Sequence, residues 1–335
     1  MRALSLSLLS SGLLPALILG ATAATAQDIS LRLPLACEVG KTCFVQHLVD
    51  RDPSPATRDY QCGRLTYDGH DGTDLRLPTM AAQKQGVDVL AAADGKVLRT
   101  RDGVADVSIA ATGKDAVQNI ECGNGVVIDH GNGWQTQYCH MAKDSIAVRS
   151  GDAVKAGDRL GRVGLSGQTE FPHLHFTVRK DDKAVDPFAF GAAPEACGGG
   201  TSLWDASARA SLSYQQPYLL NKGFAPGPVT MEAIESGTVE TSLPDAASTA
   251  LVAYIRAVGL RGGDIQTLTL FGPDGKPLAQ NKVPALDRDK AQWMSFGGLR
   301  RPASGWPPGL YRAVYRVERD GKPVLEQAFG INLKP

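Results

Sequence analysis

Two short stretches carry most of the metal-ligand chemistry available to this chain. The first is GHDGTD, Gly69 to Asp74, in which His70 stands four residues before Asp74. The second is PHLHF, Pro172 to Phe176, which places His173 and His175 one residue apart. In a β-strand residues i and i+2 share a face, so the two imidazoles emerge together while Leu174 points into the core. A polar strand face turned to water would carry the same pattern, so the pair alone only suggests a site. Gly69 and Gly72 argue against a helical turn joining His70 to Asp74. A loop running into a strand can still converge both side chains on one cation, and imidazole nitrogen with carboxylate oxygen is an ordinary donor pair for zinc.

The chain holds six histidines in all. His140 closes WQTQYCHM, the returning arm of a hairpin that turns at Gly131-Asn132-Gly133. An edge-strand histidine with no duty fits that position equally well. His130, beside the turn, reads as surface or turn chemistry, and His47, ahead of the strand-rich region, reads as a bystander.

The elements that must hold these residues are strands. From about 61 to 190 the segments are short, β-branched and bounded by turn residues, with no long 3.6-residue apolar period. Residues 27–60 look irregular and end in RDPSPATRD, while CGGGTS (Cys197 to Ser202) closes the region. Later, Tyr311, Ala313, Tyr315 and Val317 alternate with polar residues, and turns at Asp274-Gly275 and in RDGK separate further strands. The expected fold class is all-β: an antiparallel sheet or sandwich over 61–197, a linker over 198–224, and a smaller immunoglobulin-like β-sandwich over 225–335. No histidine follows His175, so the second domain has no histidine site and reads as a binding or spacer module.

Taken in order, His-x-x-x-Asp, a histidine closing a Y-x-H strand, and HLHF resemble the lysostaphin-like (LytM-type) zinc metalloendopeptidases. AAADGKV, GNGVVIDHGNGWQTQYCHM, VRSGDAVKAGDRLGRVGLSG and the closing VDP frame the motifs in the same way, over roughly residues 61–190. The resemblance implies that His70, Asp74 and His175 hold one zinc ion and that His140 and His173 are catalytic. It implies hydrolysis of peptide bonds in peptidoglycan stems or cross-links. This chain departs from the pattern at Thr177, where many relatives carry glutamate. RTRDGVADVSIAATGKDAVQNIECG and LRLPTMAAQKQG are expanded, and both are expected to rim the substrate groove.

The opening 26 residues have the layout of a secretory signal peptide: Arg2, an apolar run broken by Pro15 and Gly20, and small residues at Ala24-Thr25-Ala26. A periplasmic or secreted protein with no membrane span after cleavage is expected. In that compartment Cys37, Cys43, Cys62, Cys122, Cys139 and Cys197 should form disulfides, in pairings that spacing cannot choose. Lys plus Arg and Asp plus Glu balance at 35 each, so no whole-chain field attracts nucleic acid or an anionic membrane. Two other functions use the same features. One is a non-catalytic regulator of a wall hydrolase, whose relatives typically lose a ligand or catalytic histidine. The other is a secreted zinc protease acting on glycine-rich peptides. The C-terminal module would serve as a tether to wall or protein partner.

Overall fold

Short strands, several of them buried along most of their length, build a computed structural model that describes residues 28–334. The expected signal peptide, 1–26, lies outside the described residues. The first unit contains β1 (Phe44–His47), β2 (Thr73–Arg76), β3 (Asp88–Leu90), β4 (Gly95–Arg101), β5 (Asn124–Gly131) and β6 (Trp134–Met141). It continues with β7 (Ala153–Val154), β8 (Arg159–Arg162), β9 (His173–Lys180) and β10 (Lys183–Val185). The main sheet runs β1-β2-β9-β6-β5-β4-β7, with β10 beside β9, and β3 pairs with β8 in a small separate ribbon. All of these pairs are antiparallel. One face carries the core, including Leu75, Val126, Ile128, Tyr138, Leu174 and Phe176. The other face of the central strands carries the histidines.

Residues 28–60 are a working part of this unit. Leu31 and Leu35 are buried in its core, the Cys37–Cys43 disulfide closes the turn before β1, and β1 extends the sheet. Cys62–Cys197 ties the beginning of the unit to its end, and Cys122–Cys139 joins the approach to β5 onto β6. The stretch expected as a loose linker is also packed. Asp205 caps a short helix, Ala206–Ser211, by accepting from the Ala208 amide, and Trp204, Ala208 and Leu212 are buried against the first core. Apolar residues spaced for burial there outweigh the glycine signal of CGGGTS.

The second unit has two antiparallel sheets. Its strands are β11 (Tyr218–Ala225), β12 (Ala250–Leu260), β13 (Ile265–Phe271), β14 (Pro277–Val283), β15 (Lys290–Arg300), β16 (Gly309–Arg319) and β17 (Lys322–Leu333). They form sheets β11-β12-β15 and β14-β13-β16-β17 around Leu251, Ile255, Leu270, Tyr311 and Tyr315. The fold is therefore all-β throughout. Constant-type immunoglobulin domains put the fourth strand beside the fifth. Here the tight turn at Asp274-Gly275 folds β14 directly onto β13 instead.

The units touch through a small apolar cluster and a charged one. Phe44 of β1 stacks on Tyr218 of β11 at 5.5 Å. Arg76 of β2 and Arg256 of β12, both buried, share the carboxylate of Glu235 on the helix Met231–Ser236. Arg256 and Asn221 also donate to the carbonyl of Pro78. LRLPTMAAQKQG thus does not rim the groove; it forms a short helix, Met80–Gln85, in a docking platform for the C-terminal unit. The buried arginines require a carbonyl and a carboxylate there, and the C-terminal unit supplies the carboxylate.

Candidate metal centre and active site

Strand register assembles the site. His47 of β1 is paired with Asp74 of β2, Asp74 with His175 of β9, and His175 with Cys139 of β6, so four strands present one row of side chains on one face. Directly opposed residues sit close enough for their side chains to meet. His70, in the turn just before β2, reaches the same point. His70 Nε2 lies 3.2 Å from Asp74 Oδ1 and 3.1 Å from His175 Nδ1, and those last two atoms are 2.9 Å apart. Gly72 makes room for this convergence: a Cβ there would meet the His175 ring at 2.7 Å.

Backbone carbonyls set the tautomers around this triangle. A carbonyl can only accept, so a neutral ring facing one carries its proton on that nitrogen. His70 Nδ1 faces the Leu48 carbonyl at 2.7 Å, His173 Nδ1 the Phe171 carbonyl at 3.0 Å, and His140 Nδ1 the Ser166 carbonyl at 2.9 Å. Each therefore turns a bare Nε2 away from that carbonyl. His175 differs, because its Nε2 faces Asp71 Oδ1 at 3.1 Å and Thr177 Oγ1 at 3.0 Å. Asp71 thus gives His175 a carboxylate partner beside the Thr177 hydroxyl.

The electrostatics follow from burial against these partners. Burial opposes a charge on His175, but hydrogen bonds and attraction from Asp71 and Asp74 overcome it and raise its pKa to about 9. Burial likewise opposes the Asp74 carboxylate, yet His70, His173 and the bonds from His175 and His47 hold it well below the usual range. Burial pushes His173 down to about 4, and burial with the neighbouring His173 and His175 pushes His140 well down. With protons alone, an imidazolium at His175 satisfies Asp74 Oδ1. A metal ion bound by His70 Nε2, Asp74 Oδ1 and His175 Nδ1 would satisfy all three atoms at once.

His140 reaches the site through a backbone departure. Alternation along β6 would put it on the core face with Tyr138. Its φ of +63° and the register shift between Asn124 and Val126 turn the ring out, to 4.6 Å from His173 and 6.0 Å from His175. Non-glycine residues seldom adopt positive φ, and such positions concentrate at functional sites. A cleft beside the rings is lined by Tyr67, Glu121, Gln137, Gln168 and Arg179. Glu121 comes from the first expanded segment, as expected of a rim.

All five residues singled out in the sequence, His70, Asp74, His140, His173 and His175, therefore come together. His130 does not: it faces the Asp94 carbonyl and Thr136. His47 is no bystander, since its Nδ1 lies 3.0 Å from Asp74 Oδ2. Strand β1 is four residues long and the sequence shows no pairing partner for it, so only register reveals the contact. Asp71 was legible only as a carboxylate next to His70.

Residues 68–187 match the model of peptidase family M23. The chain carries an M23 peptidase domain. Cell division protein DipM of Caulobacter vibrioides is 35% identical over 124 residues, which cover 35% of this chain and 17% of DipM. Peptidoglycan DD-endopeptidase ShyA of Vibrio cholerae is 35% identical over 109 residues, covering 32% of this chain and 20% of ShyA. The chain spans about a fifth of the length of these curated relatives. A crystal structure of a zinc containing peptidase from Vibrio cholerae aligns at 27% identity with a TM-score of 0.28, covering 43% of this chain and 39% of that one. The M23 match begins after His47 and ends before the C-terminal sandwich.

Proposed function

We propose that this protein is an exported zinc endopeptidase acting on peptide bonds in peptidoglycan stems or cross-links. His70, Asp74 and His175 would hold one zinc ion per chain, and His140 and His173 would handle protons. The observation that carries the reading is the triangle of His70 Nε2, Asp74 Oδ1 and His175 Nδ1, with sides of 3.2, 3.1 and 2.9 Å, within an M23 domain. Tetrahedral zinc with bonds of about 2.1 Å spaces its ligand atoms roughly 3.4 Å apart, so the triangle fits after opening by a few tenths of an ångström. Two imidazoles and one carboxylate suit zinc better than magnesium or calcium, which prefer all-oxygen shells. Three protein ligands leave a fourth position open, the feature of catalytic rather than structural sites.

A zinc ion there supplies Lewis-acid polarisation of the scissile carbonyl and brings the pKa of water towards neutrality. The chain supplies the rest. His140 and His173 are neutral at pH 7, and each can take a proton at Nε2. Once protonated, that nitrogen becomes a donor, able to hold the developing oxyanion or to return the proton to the leaving amine. Asp71 and the Leu48 carbonyl keep the ligand rings oriented.

The name of one relative, peptidoglycan DD-endopeptidase, supports the substrate class. The proposed division is a signal peptide over 1–26, a peptidase unit that takes in residues 28–60 and the packed stretch to Leu212, and an accessory sandwich that begins with β11 at Tyr218, with a periplasmic or secreted location. No helix among the described residues is long and apolar enough to cross a membrane. The test is zinc content of the purified mature protein together with a digest of intact peptidoglycan before and after chelation. One zinc per chain and chelator-sensitive release of cut stem peptides is the expected result. Zinc without wall cleavage would refute the substrate, and neither zinc nor cleavage would favour a non-catalytic regulator.

A further inference from the structure

We infer that His47, contributed by the segment ahead of the M23 match, is a positioning residue for the metal ligand Asp74. Its Nδ1–H holds Asp74 Oδ2, so that Oδ1 alone is offered to the ion. The inference rests on reading His70, Asp74 and His175 as a zinc site.

Four observations carry it. Register places His47 directly opposite Asp74, with an irregularity between Val45 and His47 that aligns the pair. The side chains meet at 3.0 Å between His47 Nδ1 and Asp74 Oδ2, the carboxylate oxygen that does not join the ligand triangle. Asp74 is 2% exposed, so with the ring in place Oδ2 depends on this donor rather than on bulk water, and an unpartnered buried carboxylate oxygen is costly. The ring is itself restrained, edge-on to Tyr67 at 5.2 Å and tilted against Phe171 at 6.4 Å.

The neighbouring residue acts in the same way on a second ligand. The Leu48 carbonyl faces His70 Nδ1 at 2.7 Å and fixes the tautomer that presents Nε2. Two consecutive residues outside the matched domain therefore orient two of the three ligand side chains. That arrangement gives the N-terminal segment, anchored by Leu31, Leu35 and the Cys37–Cys43 bridge, a role in the site. It also predicts a monodentate Asp74, because a donor on Oδ2 competes with a second bond to the ion.

The experiment is zinc affinity, measured by competition with a chromophoric chelator, for the mature full-length protein and its His47→Ala and His47→Asn forms. Asparagine places an N–H where Nδ1–H stands, whereas alanine leaves Oδ2 bare. Loss of an outer partner typically weakens metal binding about 10- to 100-fold, and that is the loss expected for His47→Ala. His47→Asn should recover to within a few-fold of wild type. Melting of the metal-free proteins separates a folding defect from a positioning one, since only the latter is rescued by asparagine at equal stability. Wild-type affinity in His47→Ala would overturn the inference and leave the zinc reading standing. So would equal weakening in both variants, which would make the ring a packing element. Raised activity in His47→Ala at unchanged affinity would overturn it too, by making His47 a plug. A wild-type protein that takes up no zinc would overturn the zinc reading itself.

Discussion

Replacing Glu235 by Gln tests how the C-terminal unit is held to the M23 domain. Glu235 is the acidic partner of Arg76 and Arg256, whose side chains are 1% and 0% exposed, while its own is 22% exposed. Burial pushes Arg76 down to about 10 even with Glu235 beside it, so the guanidinium stays charged at neutral pH. The variant therefore leaves buried positive charge without an acidic partner. Removing one member of a buried pair costs about 3–5 kcal/mol, and partial exposure of Glu235 places this case near the lower figure. At roughly 2–4 °C per kcal/mol for a chain of this order, the melting temperature should fall by about 6–12 °C. Glu232→Gln on the exposed face of the same helix should change little. The effect should also reach the site: the Arg76 guanidinium lies 4.0 Å from the centroid of the Phe171 ring, and the Phe171 carbonyl orients His173. Turnover should drop while zinc content holds. A Glu235→Gln protein that melts with wild type would refute the claim that this cluster anchors the two units.

Three other outcomes follow from the geometry. Gly72→Ala puts a Cβ where the His175 ring lies and should cost roughly a hundredfold in turnover, read from steady-state kinetics alongside zinc content. His140→Ala and His173→Ala should keep one zinc per chain and lose about 10²- to 10⁴-fold in hydrolysis; full activity in either would remove that histidine from the mechanism. Asp186 is pushed up to about 6 by burial despite Arg51 nearby at 3.9 Å, and its Oδ2 has no hydrogen-bond partner. Its folded pKa exceeds the unfolded value, so its contribution to stability is fully present below about pH 4 and is lost as pH rises to about 6, on the order of 2–3 kcal/mol. Denaturant midpoints across that window should show the slope in wild type and its loss in Asp186→Asn.

How far the sequence reaches is set by the range of the interactions involved. The HLH pair was legible because strand alternation is local, and it put His173 and His175 on one face before any partner was known. The glycines around His70 likewise ruled out a helix and left a loop entering a strand, which is what β2 and its preceding turn are. Hairpins at Gly131-Asn132-Gly133 and Asp274-Gly275 were legible for the same reason, since their turns are fixed by residues within the turn. The packed stretch over 198–224 was not, because its burial depends on Leu31 and the rest of the first core. Three placements also lay beyond local reading. His47 enters through the pairing of β1 with a strand 27 residues later. His140 enters through a positive φ that reverses the alternation by which Tyr138 and His140 would share a face. Arg76 is held by a carboxylate 159 residues away. The sequence by itself determined which residue types could bind and move charge and which strands would carry them. Tertiary structure decided which of those side chains meet, because register, a single left-handed residue and a buried ion pair are properties of contacts between segments, and no segment encodes them alone.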